Sequence, residues 1–261
     1  QSAKIAKGVY DRGQPLVQLG LVIATALSAT FLPALTRYLM SSVPSQFLKT
    51  AKIYLRLTTA LALAASVGLA MLLPYINYAL FKDYAGNAAL VLFVFSIALT
   101  AVIQAYQSIA QSKNSFRPSL KGAGWGLLAK ALATPLLTGR LGTVGASLST
   151  LLGLAVTLWY FVHTEKADIN SFWKERKFGK KLIQCLGWMI LSLFLYYGLL
   201  MLFFGPIQHR STAFLVSLVG VIIGAFIFVN AVIWTRLFTV REWLMLPFGK
   251  KILRINKQFK K

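Results

Sequence analysis

Seven apolar stretches run along the chain, at residues 16–35, 53–80, 88–110, 122–138, 143–161, 182–204 and 213–234. Each is near the roughly 20 apolar residues that a helix needs to cross the hydrocarbon core of a bilayer. Open strands cannot satisfy their backbone groups in lipid, so the stretches predict helices. Short gaps at 82–87 and 139–142 predict tight antiparallel helix pairs. The expected fold is all-α and integral to a membrane, with seven transmembrane helices.

The polar gaps divide the basic residues unequally. Alternate gaps hold four, three, six and eight Lys or Arg, together 21, against three, one, one and one, together six, in the others; Lys130 lies inside a span. The positive-inside rule places the richer side in the cytoplasm. The C-terminus is then cytoplasmic and the N-terminus outside. A chain that starts outside at Gln1, without an initiator Met or signal peptide, leads us to expect a preceding N-terminal half of the same polypeptide.

Composition agrees with a membrane domain: 57% of residues are hydrophobic and the mean hydropathy is +0.66. The net charge of +22 flanks apolar spans on one side. That distribution suits anionic membrane lipids as partners and not nucleic acid. Cys185 is the single cysteine and lies in a span, and the six acids all avoid the depths of the spans. No metal-ligand spacing and no nucleophile–base arrangement is present, so we expect neither a cofactor nor an enzyme. The chain divides into 1–163, a five-helix unit; 164–181, an interfacial linker; 182–237, two further helices; and 238–261, a basic tail. Ile169, Phe172, Trp173 and Phe178 in the linker, and Ile252, Ile255 and Phe259 in the tail, alternate with charges. Both segments read as interfacial anchors.

Three polar features carry candidate chemistry. Asp11, Gln14, Gln18, Thr25 and Ser28 form one stripe leading through the first span, beside Arg12, whose planar fork suits phosphate oxygens. Ser96, Thr100, Gln104, Gln107 and Gln111 step by three or four along the third span. Such a face turns toward protein or water, either as interhelical hydrogen bonding or as a solvated path. Lys130 is about nine residues from either end of its span, roughly 13 Å from each surface, and Thr134 and Thr138 continue its face. A charge at that depth is a functional candidate, and no acid of this chain is placed to neutralise it. Small residues at Gly142, Ala146, Ser149 and Gly153 suit close helix packing. Pro135 could shape a bend. A cavity rich in basic groups and poor in acids suits an anionic substrate carried on a lipid.

The stretch "KGVYDRGQPLVQLGLVIATALSATFLPALTR", with Asp11-Arg12 ahead of a small-residue-rich helix ending in Leu32-Pro33-Ala34-Leu35, resembles the eighth transmembrane helix of the MurJ-type lipid II flippases. These belong to the multidrug/oligosaccharidyl-lipid/polysaccharide exporter superfamily. The "RGQP" form at Arg12–Pro15 is similar to the polysaccharide-biosynthesis branch of Gram-positive bacteria. "NSFRPSLKGAGWGLLAKALATPLL" and "GTVGASLSTLLG" resemble the eleventh and twelfth helices more loosely. The resemblance implies that the seven spans are helices eight to fourteen of a fourteen-helix V-shaped transporter: the C-lobe and the last two helices. It implies that Arg12 binds the pyrophosphate of an undecaprenyl-linked saccharide, and that the protein is a flippase of the bacterial plasma membrane. Lipid II is the expected substrate; a capsule or teichoic-acid precursor offers the same chemistry, and a multidrug exporter fits an acid-free cavity less well.

Overall fold

The computed structural model describes residues 7–8, 10–41, 43–165, 167–171, 176–204 and 209–244. It is helical: α1 (Gly13–Met40), α2 (Pro44–Phe81), α3 (Asn87–Val94), α4 (Ser96–Ser112), α5 (Arg117–Thr164), α6 (Ala167–Asn170), α7 (Arg176–Phe204), α8 (Arg210–Trp234) and α9 (Val240–Leu244). Short α3 and α4 are one span bent slightly at Phe95, whose backbone stays in the right-handed helical region.

The 48 residues of α5 would form a rod of about 72 Å, more than twice a bilayer core. The resolution is Gly142, with φ 57° and ψ −131°, outside any helical region. A left-handed φ is open to glycine at little steric cost, so the chain doubles back there. The two arms lie side by side: a methyl group added at Gly126 would come 2.7 Å from the Gly153 carbonyl oxygen, and one at Gly153 would come 2.9 Å from Lys130 Cβ. The chain is thus a multi-pass membrane protein with seven apolar spans, two of them in the α5 hairpin. Pro135 stays inside the helix, so the expected bend belongs to Gly142 instead. The packing stripe also shifts from the expected register. Gly145, Ser149, Gly153 and Thr157 are buried, whereas Gly142 is exposed and Ala146 half-buried.

Helix α2 is the hub, packed against α1, α3, α4, α7 and α8, while both α3 and α4 carry the α5 hairpin. Its core partners include Phe31 and Leu35 of α1, and Tyr106 and Ile109 of α4. Helix α7 touches the body through a narrow seam, Leu182, Cys185, Met189 and Leu193, spaced by three and four residues. Its other faces, such as Ile183, Phe194 and Leu202, are exposed apolar surface suited to lipid.

The loops separate into two ends. One end joins Arg12 to Asp83, Arg210 to the Ala79 and Leu80 carbonyls, and Ser147 to the Ala89 carbonyl. The other joins Lys113 to Glu165, Tyr106 to Asn170, Arg56 to Glu242 and Lys181 to the Arg236 carbonyl. The second end holds the basic-rich gaps. The segments read as interfacial anchors are instead partly core. Ile169 and Phe178 are buried, and so are Leu237, Phe238, Glu242 and Trp243, because a carboxylate and aromatic rings close the underside of α2. Helix α7 begins at Arg176, within the span assigned to the linker. Phe172, Trp173, Ile252, Ile255 and Phe259 lie outside the described residues.

Candidate functional site

Two adjoining cavities open between α1, α4 and the α5 hairpin. One, of about 390 Å³, is lined by Thr100, Gln104 and Gln107 of α4, by Ala123, Gly126 and Lys130 of the first α5 arm, and by Thr150, Gly153 and Thr157 of the second. The other, of about 320 Å³, is lined by Thr25, Ser28, Ala29 and Leu32 of α1 and by Gln104, Gln107, Ser108 and Gln111. Gln104 and Gln107 belong to both, so the pair forms one groove with a glutamine ridge.

Sequence spacing explains the ridge. Thr100, Gln104, Gln107 and Gln111 share a face of α4, and the opposite positions Ala101, Ala105 and Ile109 are buried against the body. Gln104 Oε1 is buried and accepts no hydrogen bond from the described residues. An unmet acceptor costs about 1–3 kcal/mol, so this oxygen calls for a donor from water or a ligand hydroxyl. Lys130 stands near the middle of the first α5 arm, half-buried, with no ion pair among the described residues. Thr134 donates to the Lys130 carbonyl at 2.7 Å and to Ser149 Oγ at 3.1 Å, tying the arm beside Lys130 to its partner arm. Behind the α1 wall, Ser28, Tyr54 and Ser108 make a hydrogen-bonded triangle across three helices, with Ser28–Tyr54 at 2.6 Å. Sequence reading missed Tyr54, Thr150 and Thr157, since nothing in their spacing connects them to α4.

The stripe on α1 divides. Thr25 and Ser28 enter the groove, whereas Asp11, Gln14 and Gln18 are exposed and line neither cavity. Arg12 does not join Lys130. Its Nη1 meets Asp83 Oδ2 at 3.2 Å and its guanidinium lies 4.6 Å from the Phe81 ring centre, at the basic-poor end. Asp83 also accepts from the Ala85 N–H at 2.8 Å. That backbone bond first, then Arg12, holds the Asp83 carboxyl below its ordinary range. Arg12 is therefore a positioned guanidinium at the basic-poor end that lines neither cavity, and Lys130 with Gln104, Gln107 and Gln111 forms the groove proper. Among the described residues no group of three His, Cys, Asp or Glu could hold a metal ion.

No protein-family model matches the chain. It is similar to a protein of Bacillus subtilis (strain 168) described as the uncharacterized membrane protein YabM, with 30% identity over 264 aligned residues. The alignment covers 99% of this chain and 48% of that protein. The chain thus spans about half the length of the curated relative it matches.

Proposed function

We propose that this chain is the C-terminal half of a flippase that moves an undecaprenyl-pyrophosphate-linked saccharide, lipid II first among them, from the cytoplasmic to the outer leaflet. It works in the bacterial plasma membrane with its C-terminus in the cytoplasm. The observation that carries the reading is that Lys130, without a carboxylate partner among the described residues, lines one groove with the glutamine ridge among apolar helices. A cation in low dielectric favours an anion strongly, and sugar hydroxyls supply the donors that Gln104 Oε1 lacks. Arg12, at the basic-poor end, offers a planar fork to the pyrophosphate, which displaces or shares its contact with Asp83. The polyprenyl tail stays in lipid while alternating access carries the headgroup.

Complementation of a flippase-depleted strain by the complete protein tests the reading. Arg12→Ala and Lys130→Leu should each abolish or cut rescue while membrane insertion stays normal. Full rescue by both variants at normal expression refutes it. Rescue of a capsule or teichoic-acid flippase deletion in place of the lipid II one reassigns the saccharide. Orientation is checked by thiol labelling of intact cells: a cysteine at Ala85 should react and one at Ser45 should not.

A further inference from the structure

A third cavity, of about 610 Å³, lies at the basic-poor end, lined by Tyr78, Lys82, His209, Arg210 and Ser211. Only six Lys and Arg fall in the gaps of that end, yet two of them and one of the chain's two histidines line this pocket. We propose that it holds the phosphate group of an anionic lipid headgroup.

The charges are arranged for this and are not spent on one another. Arg210 is fixed, since its Nε and Nη2 donate to the Ala79 and Leu80 carbonyls at the C-terminal end of α2. That anchor holds the start of α8 against α2 and sets the pocket's far wall. Lys82 closes α2 in the left-handed conformation, φ 55°, and leaves the helix axis there. Its sequence neighbour Asp83 does not neutralise it: one carboxylate oxygen is taken by Arg12 and the other by the Ala85 N–H. Among the described residues no carboxylate lines the pocket. Lys82 Nζ, the His209 ring and Ser211 Oγ have no hydrogen-bond partner among the described residues, so three donors face one space with an anchored guanidinium beside them. Phosphate oxygens suit such a set, being acceptors only. The surroundings favour a lipid as the source. Phe214, Leu215 and Leu218, one to two turns along α8 from the pocket, are exposed apolar surface, as is Leu80 on α2. An acyl chain can lie on that surface while the headgroup sits among the bases. The pocket is separate from the groove and does not depend on the transport reading.

The test is native mass spectrometry of the detergent-purified protein with phosphatidylglycerol or phosphatidylcholine added. Wild type should retain phosphatidylglycerol preferentially, and the Lys82→Gln/His209→Gln double variant should retain about ten-fold less. Both side chains are exposed, so folding is not at stake, and thermal unfolding verifies this. Arg140→Gln, a basic residue of the same end outside the pocket, should bind as wild type. Equal retention of the two lipids, or undiminished retention by the double variant, overturns the proposal. Titration with inorganic phosphate alone separates the sources. Binding as tight as that of the lipid, and lost in the same variant, overturns the lipid as the source; weak or no binding supports it.

Discussion

Arg56 and Lys130 both stand on membrane-crossing helices, and the fold surrounds them differently. Arg56, near the basic-rich end of α2, meets Glu242 at 3.3 Å, the Leu237 carbonyl at 3.3 Å and the Phe178 ring at 4.8 Å. Glu242, only 1% exposed, also accepts from the Thr239 N–H and hydroxyl, so it caps the first turn of α9 while holding α2. Lys130 shares its cavity with glutamines, threonines and glycines, and among the described residues no carboxylate lines it. The first cation is committed to holding elements together. The second lines the groove without such a commitment among the described residues, which is why the proposed function places it at the substrate. The difference teaches that burial and charge do not separate a clamp from a site; the partners do.

The sharpest way to break this comparison is to remove the clamp's carboxylate. Glu242→Ala should cost about 3 kcal/mol, because a buried pair that loses one member leaves the other charge poorly compensated. Thermal unfolding in detergent should show the loss, and an unchanged midpoint would make Arg56 no different from Lys130. Next is the hairpin that positions Lys130. Gly153→Val should cost about 2 kcal/mol by overpacking, since an added Cβ alone would come 2.8 Å from the Gly126 carbonyl oxygen and 2.9 Å from Lys130 Cβ. Lys130→Leu should lower transport about ten-fold while stability holds or rises, the reverse of Glu242→Ala. A Lys130→Cys thiol should react with water-soluble reagents; an unreactive thiol together with intact transport removes Lys130 from the site.

The smallest effects belong to the exposed pair. Asp83→Asn should leave the unfolding midpoint within about 1 °C of wild type. The Asp83 carboxyl is held below the ordinary carboxylate range, first by the Ala85 N–H and then by Arg12, so its contribution is present above the ordinary value and is lost as pH falls through the lowered one. The midpoint of wild type and Asp83→Asn should therefore be indistinguishable in acid below that window. If Asp83→Asn also leaves transport intact while Arg12→Ala abolishes it, Arg12 acts on substrate and not only on Asp83. Equal losses would make the pair a clamp like Arg56–Glu242.

The number of spans, and the sorting of gaps into two ends, were legible in the chain because they depend on local hydropathy and connection length, whereas helices such as α2 and α7 start ahead of their apolar runs. Periodicity also placed Gln104, Gln107 and Gln111 on one face, since the helical repeat is a property of adjacent residues. The Gly142 turn was legible as a gap between apolar runs. Partners distant in sequence were not: Arg12 with Asp83 is a separation of 71 residues, and Glu242 lies 186 positions from Arg56. The tail around Glu242 read as a solvated basic anchor because its composition is that of one. Only the docking of α9 under α2 turns Leu237, Phe238 and Trp243 inward. Likewise, Lys130 was marked by its depth alone, and the same sequence would suit a Lys facing lipid-bound water. Its meeting with the glutamine ridge depends on how the α5 hairpin rotates against α4. Small-residue spacing marked Gly153 for close packing, but that its partner is Gly126 of the neighbouring arm, and that the pair stands against α4, is decided only by three-dimensional packing.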